Sequence, residues 1–170
     1  MYKTQPTDEE RRTRMIQWRR ETTVQRIDKP TKLMTARKFG YKDKQGFTVV
    51  RVKVKKGKRK RPKILGGRRP KRYGRFFSLG KSKMQVAEEK AARKYENLEV
   101  LASYRAGEDG SHVWFETILV DPDHPAIKKD KERNWICEPQ HRGRVFRGLT
   151  PAGVKNRGLR RKGIGAEKVR

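Results

Sequence analysis

Residues 112–120 read HVWFETILV, apolar at nearly every position. That pattern predicts a strand covered on both faces. Working outward, Leu98 to Tyr104 alternates, with Leu98, Val100, Ala102 and Tyr104 on one face, and Asp109–Gly110 supplies a hairpin turn between the two strands. Residues 46–55, GFTVVRVKVK, place Val50, Val52 and Val54 on one side and Arg51, Lys53 and Lys55 on the other, a half-buried strand with a cationic outer face. Ser82 with Gln85 reads as a capping box that opens a helix to about Tyr95. Ala87, Ala91 and Tyr95 form its packing stripe, and Glu89 precedes Arg93 by one turn. The order strand, long loop, helix, strand, hairpin, strand is that of an α+β fold: a small antiparallel sheet with packed helices.

Outside this core, Thr7 and Glu10 predict a capped helix through about Arg20, whose bulky pair Met15 and Trp18 calls for a docking surface. DPDHPAIKK at 121–129 predicts an Asp-capped helical turn with Pro125 in its first turn. Three parts are expected: an N-terminal helical extension at 1–30, an α+β core at 31–138 that includes a basic loop at 56–80, and a basic Arg-Gly-containing extension at 139–170.

The chain of 170 residues carries 47 Lys and Arg against 19 Asp and Glu, a formal net charge of +28, and only 32% of it is apolar. No stretch approaches the roughly 18 apolar residues of a membrane span. The opening MYKTQPTDEERR has no hydrophobic segment that could act as a secretory signal. Single Cys137 excludes an internal disulfide framework and fits a reducing, cytoplasmic setting. The charge is uneven. Residues 44–87 hold 17 cations and no acid, whereas 88–138 hold 12 acids and 8 cations. KGKRKRPKILGGRRPKRYGR at 56–75 has 11 cations and only three apolar residues, so alone it should stay disordered and order on a polyphosphate. HRGRVFRGLTPAGVKNRGLRRKGIG at 141–165 has the same character, with repeated Arg-Gly pairs.

No catalytic constellation emerges. Asp121, Asp123 and His124 could ligate a metal but fit turn and cap chemistry around two prolines better. Cys137 and His141 lack a third, orienting group, and Gly66–Gly67 lacks the ending of a phosphate loop. His112 reads as a structural residue within its strand. Neither enzyme activity nor a cofactor nor a metal is expected.

A DNA-compacting protein and a component of a large ribonucleoprotein both fit a small core with basic extensions. No helix-turn-helix or basic zipper is visible, and long basic segments suit the crevices of folded RNA. FGYKDKQGFTVVRVKVKKGKRKRP at 39–62, VAEEKAARKYENLEVLASYRAGEDG at 86–110, FETILVDPDHPAIK at 115–128 and RGRVFRGLTPAGVKNRGL at 142–159 resemble, in order, the archaeal and eukaryotic (e-type) large-subunit ribosomal protein 15 family. The resemblance departs from the family at the N-terminus, where members carry a longer stretch, and at Arg105, where they tend to have Trp. It implies a non-catalytic structural constituent of the large ribosomal subunit in the cytoplasm, binding ribosomal RNA beside neighbouring large-subunit proteins. No membrane contact and no homo-oligomer is implied. The RNA-contacting positions it implies are Tyr41, Lys42, Lys44 and Gln45 in the first motif. The loop adds Lys58, Arg59, Lys60, Arg61, Arg68, Arg69, Lys71 and Arg72, and the tail adds Arg142, Arg144, Arg147 and Arg157.

Overall fold

The computed structural model describes residues 7–57, 59–60, 62, 65–68 and 76–162. Strand β6 (His112–Val120) sits at the centre of the main sheet because both its faces are apolar, and eight of its nine residues are buried. It pairs antiparallel with β2 (Phe47–Lys55) on one side and β5 (Glu99–Glu108) on the other. The β5–β6 hairpin turns at Asp109, whose side chain accepts from the Ser111 and His112 amides at 2.8 and 2.5 Å. A short edge strand, β1 (Val24–Ile27), completes the order β1-β2-β6-β5. Sequence periodicity does not reveal β1, because four residues with one charge among them carry no alternation. Arg59–Lys60 (β3) and Phe76–Phe77 (β4) form a separate two-stranded ladder within the basic segment.

One face of the sheet packs against helix α3 (Lys83–Lys94). Val50, Val52, Val54, Val113, Phe115, Leu119 and Val100 meet Ala87 and Ala91 there, small residues that let the helix lie close. Ser82 caps this helix by accepting from the Gln85 amide at 3.2 Å. The return bond of a capping box is not made, and Gln85 Oε1 is buried without a partner among the described residues.

The opposite face is covered as well, which corrects the expectation of a solvated cationic face on β2. Helix α1 (Asp8–Arg20), with both bonds of its Thr7–Glu10 capping box formed, lays Trp18 against Trp114 at 5.8 Å between ring centroids. Arg51 stacks over Trp18 at 4.2 Å and forks onto Glu21, with Nη2 at 2.8 Å from both carboxylate oxygens. Lys53 Nζ reaches the Arg19 and Glu21 carbonyls at 2.9 Å each, neutralising the negative end of α1. The cations of β2 therefore dock the N-terminal helix. Beside them, short helix α2 (Leu33–Lys38), Tyr41, α4 (Pro125–Lys128) and the 3₁₀ turn Asn134–Cys137 supply Ala36, Ile127 and Ile136 to a second apolar cluster around Val49, Ile118 and Val120.

Strand β5 does not keep one face. A bulge at Leu101 shifts the register, so Val100 pairs with Leu119 and Ala102 with Ile118. Val100 joins the α3 cluster, and Tyr104 turns to the other side, where its hydroxyl donates to the buried Glu116 at 2.5 Å.

Residues 139–156 pack on this core where disorder was expected. Val145 is 1% exposed within the α3 cluster. Thr150 caps α5 (Pro151–Asn156) through the Gly153 amide while donating to Glu88 at 2.5 Å. Ser103 donates to the other Glu88 oxygen at 2.5 Å. Burial nonetheless pushes the Glu88 carboxyl above its usual range, against the pull of these two hydroxyls and Arg144.

Two outcomes follow. Phe115→Ala should cost about 3–5 kcal/mol in denaturant titrations, since Phe115 on β6 is buried in the cluster beneath α3; a near-unchanged midpoint would contradict that packing. For Glu88, the folded state binds its proton more tightly than the unfolded chain. Its stabilising contribution is complete below the unfolded carboxylate range and is lost as pH rises through the raised folded value. The stability of the parent minus that of Glu88→Gln should decline between pH 4 and pH 8. A flat difference across that range would show that Glu88 is not strained by burial.

Candidate nucleic-acid interface

The first motif is a loop pinned between two glycines in the left-handed region, Gly40 (φ +92°) and Gly46 (φ +89°). A Cβ on Gly46 would stand 2.6 Å from Ile127 Cγ1, so glycine is what lets this loop seat on α4. Within it, Tyr41 is buried, edge-on to Phe47 at 6.1 Å, with burial and Asp43 raising its phenol above the usual value. Lys42 Nζ lies 2.9 Å from both Asp130 and Glu132, and Lys44 Nζ lies 2.5 Å from Asp130. Hydrogen bonds from Lys44 and Lys42 hold the Asp130 carboxyl far below the ordinary carboxylate range. Gln45 is exposed. These lysines are matched by acids inside the protein, so the motif's main work in the fold is to anchor residues 40–46.

In the basic segment, Arg68 is exposed behind Gly66 and Gly67, both at positive φ. Arg59 and Lys60 lie on β3; Lys58, Arg61, Arg69, Lys71 and Arg72 fall outside the described residues. The base of the segment is clamped. Lys83 Nζ donates to the Lys55 and Gly57 carbonyls at 2.9 and 3.1 Å, Lys56 pairs with Glu108 at 3.1 Å, and Lys81 with Glu89 at 2.8 Å.

The tail positions divide. Arg142 is exposed and Gly143 after it turns at φ +62°, its amide held by Glu99 at 2.8 Å. Arg147 is exposed but donates to the Gln140 and Arg142 carbonyls. Arg157 is exposed, its stem beside Gly148. Arg144 differs from the surface role given to it. It is 7% exposed, Nη1 donates to the Val100 and Leu101 carbonyls at 2.8 and 3.0 Å, Nη2 to Leu149 at 3.1 Å, and the guanidinium lies over Trp135 at 4.9 Å. The bulge at Leu101 interrupts the ladder there, and a planar fork with several donors suits two successive carbonyls. Arg144 is a structural clamp.

Cations that the motif comparison did not single out also stand exposed. Arg37 and Lys38 on α2, Lys129 and Lys131 after α4, and Lys155 on α5 make no ion pair among the described residues. Arg37 and Lys38 directly precede Phe39, an adjacency of charge and ring visible in sequence.

The other candidates resolve into structural chemistry. His124, not an aspartate, caps α4, its Nδ1 accepting from the Ala126 amide at 3.1 Å, and Asp121 accepts from the Asp123 amide at 3.0 Å. His112 Nδ1 bonds Ser111, and the His141 ring packs edge-on against Trp135 at 4.8 Å. Among the described residues, no cluster of three or more His, Cys, Asp or Glu is placed to hold a metal. None of their helices is long and apolar enough to cross a membrane.

The arrangement is a neutralised core flanked by cations in excess. The whole-chain family model described as Ribosomal L15 matches residues 2–170. The large ribosomal subunit protein eL15 of Methanospirillum hungatei is 54% identical over 158 residues, covering 92% of this chain and 81% of that protein. With its sheet order, hairpin and motifs in place and a match along its entire length, the chain belongs to the Ribosomal L15 (L15e) family.

Proposed function

We propose that the chain is a structural constituent of the large ribosomal subunit, without enzymatic activity, that binds and stabilises folded ribosomal RNA. The contacts run through the loop at 56–80 and the exposed cations of the C-terminal segment. One observation carries this reading: residues 58–75 hold ten cations and no acid, whereas cations on either side, such as Lys42, Lys44, Arg51 and Lys56, are paired with carboxylates. An acid-free stretch of that size gains from releasing counterions on a polyphosphate. Its place is the cytoplasmic ribosome, beside other large-subunit proteins; the relative from Methanospirillum hungatei is named as a protein of the large ribosomal subunit. Position by position, the reading rests on Arg59, Lys60, Arg68 and Arg142, with Lys58, Arg61, Arg69, Lys71 and Arg72 in the same acid-free stretch. Arg147 and Arg157 add exposed charge, and Gln45 adds an exposed amide.

Binding of the full chain to large-subunit RNA fragments should fall steeply with salt, with a slope of log K on log salt on the order of −4 to −5 if half of the loop cations engage. Replacing Arg59, Lys60 and Arg61 together by Ala should reduce that slope by about 2–3, and Arg142→Ala by about 1. Arg144→Ala should instead lower the melting temperature, because the bulge carbonyls lose their donor. Duplex DNA should be released well below the salt that frees ribosomal RNA. Equal affinity for both, with equal slopes, would favour a DNA-compacting protein and refute the ribosomal reading.

A further inference from the structure

An open cleft of about 300 Å³ lies where the end of α2 meets the 3₁₀ turn and the tail. Among the described residues its lining includes Lys38, Phe39, Arg133, Trp135 and Arg144, and no carboxylate. We propose that this cleft receives one unstacked nucleobase of the bound RNA, with Phe39 as the stacking platform and Lys38 and Arg133 facing the flanking phosphates. The proposal rests on the RNA-binding reading and adds a specific site to it.

Phe39 carries the argument. Its ring lies parallel to Tyr104, at 6.1 Å between centroids and 8° between planes, and Tyr104 is fixed by its bond to buried Glu116. The ring is therefore held from behind, yet it remains 37% exposed. Apolar packing would bury such a ring; a platform for a planar partner leaves it open and rigid. Arg133 is also held in place. Its Nη1 donates to the Glu132 carbonyl at 3.1 Å, and its guanidinium occupies the space above Gly40, where a Cβ would stand 2.4 Å from Nη2. Nη2 has no acceptor among the described residues and is free for an anion. Lys38 is exposed at the rim and unpaired among those residues.

The chemistry selects the occupant. Lys38 and Arg133, with no acid in the lining, repel a basic peptide, and an acidic peptide has no use for a flat aromatic face fixed in orientation. A base on a phosphate chain uses both. The volume sits at the foot of the roughly 300–1,000 Å³ range of small-molecule pockets, the scale of a single nucleoside.

The test uses assembled large subunits and the full chain on large-subunit RNA fragments. Ultraviolet crosslinking of parental subunits should give a nucleotide adduct on the peptide that holds Phe39 or on the one that holds Trp135. Phe39→Leu, which retains apolar packing on Tyr104, should weaken binding between about 5- and 150-fold without changing the salt slope. It should also expose one unpaired base to dimethyl sulfate or another base-specific reagent. Lys38→Ala should reduce the slope by about 1. If the steep slope persists but Phe39→Leu and Phe39→Ala both leave affinity and base reactivity unchanged, the cleft proposal fails and the RNA reading stands. A crosslink from these peptides to a neighbouring protein instead of RNA overturns it in the same way. If the parent shows no steep salt slope at all, the RNA reading fails and the cleft proposal with it.

Discussion

Carboxylates are scarce in this chain, 19 against 47 cations, and its fold depends on where they are placed. In the core several of them tie down a segment distant in sequence. Glu21 meets Arg51 and so fixes α1 to β2; Asp130 gathers Lys42 and Lys44; Asp109 reaches Arg19 at 2.8 Å. Glu116 is wholly buried and accepts from the Thr31 amide at 3.0 Å, from the Thr31 hydroxyl and from Tyr104, stitching the approach to α2 onto the central strand. Glu88 does the same for the tail. A highly charged chain repels itself when compact, so a local excess of acid at 88–138 is what allows a sheet to close within it.

The tail shows how one irregularity propagates. The bulge in β5 turns Tyr104 toward Glu116 and leaves the Val100 and Leu101 carbonyls for a donor outside the sheet. Arg144 supplies that donor, which brings Val145 into the apolar cluster beneath α3 and Thr150 onto Glu88. Helix α5 then closes against the turn before it, with Gly153 so near Gly148 that a Cβ would stand 2.6 Å from its Cα. A segment with the composition of a disordered extension is thereby ordered as far as α5.

Much of the architecture was legible from local pattern. The apolar run of β6, the Asp109–Gly110 turn, the alanine stripe of α3 and the Thr7–Glu10 box each depend on residues within one element, and each formed where expected. What sequence did not reveal depends on partners far along the chain. The alternation of Leu98 to Tyr104 suggested one face because a bulge has no signature in a run of apolar residues. The cations of β2 looked solvated because α1, their cover, lies some 30 positions upstream. Arg144 looked like its neighbours Arg142 and Arg147 because an inward guanidinium and an outward one are the same letter; only carbonyls 43 and 44 residues away distinguish them. The family motifs have the same limit: FGYKDKQG identifies the chain's relatives, yet Tyr41, Lys42 and Lys44 within it serve the fold.

The cations thus fall into two populations with different physics. Those of the first are held within about 3 Å of a carboxylate or a backbone carbonyl, and their charge is compensated inside the protein. Removing one leaves a buried acceptor unmet, so the loss appears as stability. Those of the second lie in or beside acid-free stretches, where compaction alone leaves their repulsion in place and a polyanion relieves it. The separation has a structural consequence. Because Arg51 and Lys53 on β2 and Arg144 beside β5 are compensated within the protein, the sheet can form without RNA, and it then holds Arg142 and the cleft beside Phe39 in a fixed frame. On the proposed RNA-binding reading, affinity and geometry are assigned to different residues: the uncompensated charges would draw the chain onto RNA, and the compensated ones determine where on the protein those charges stand.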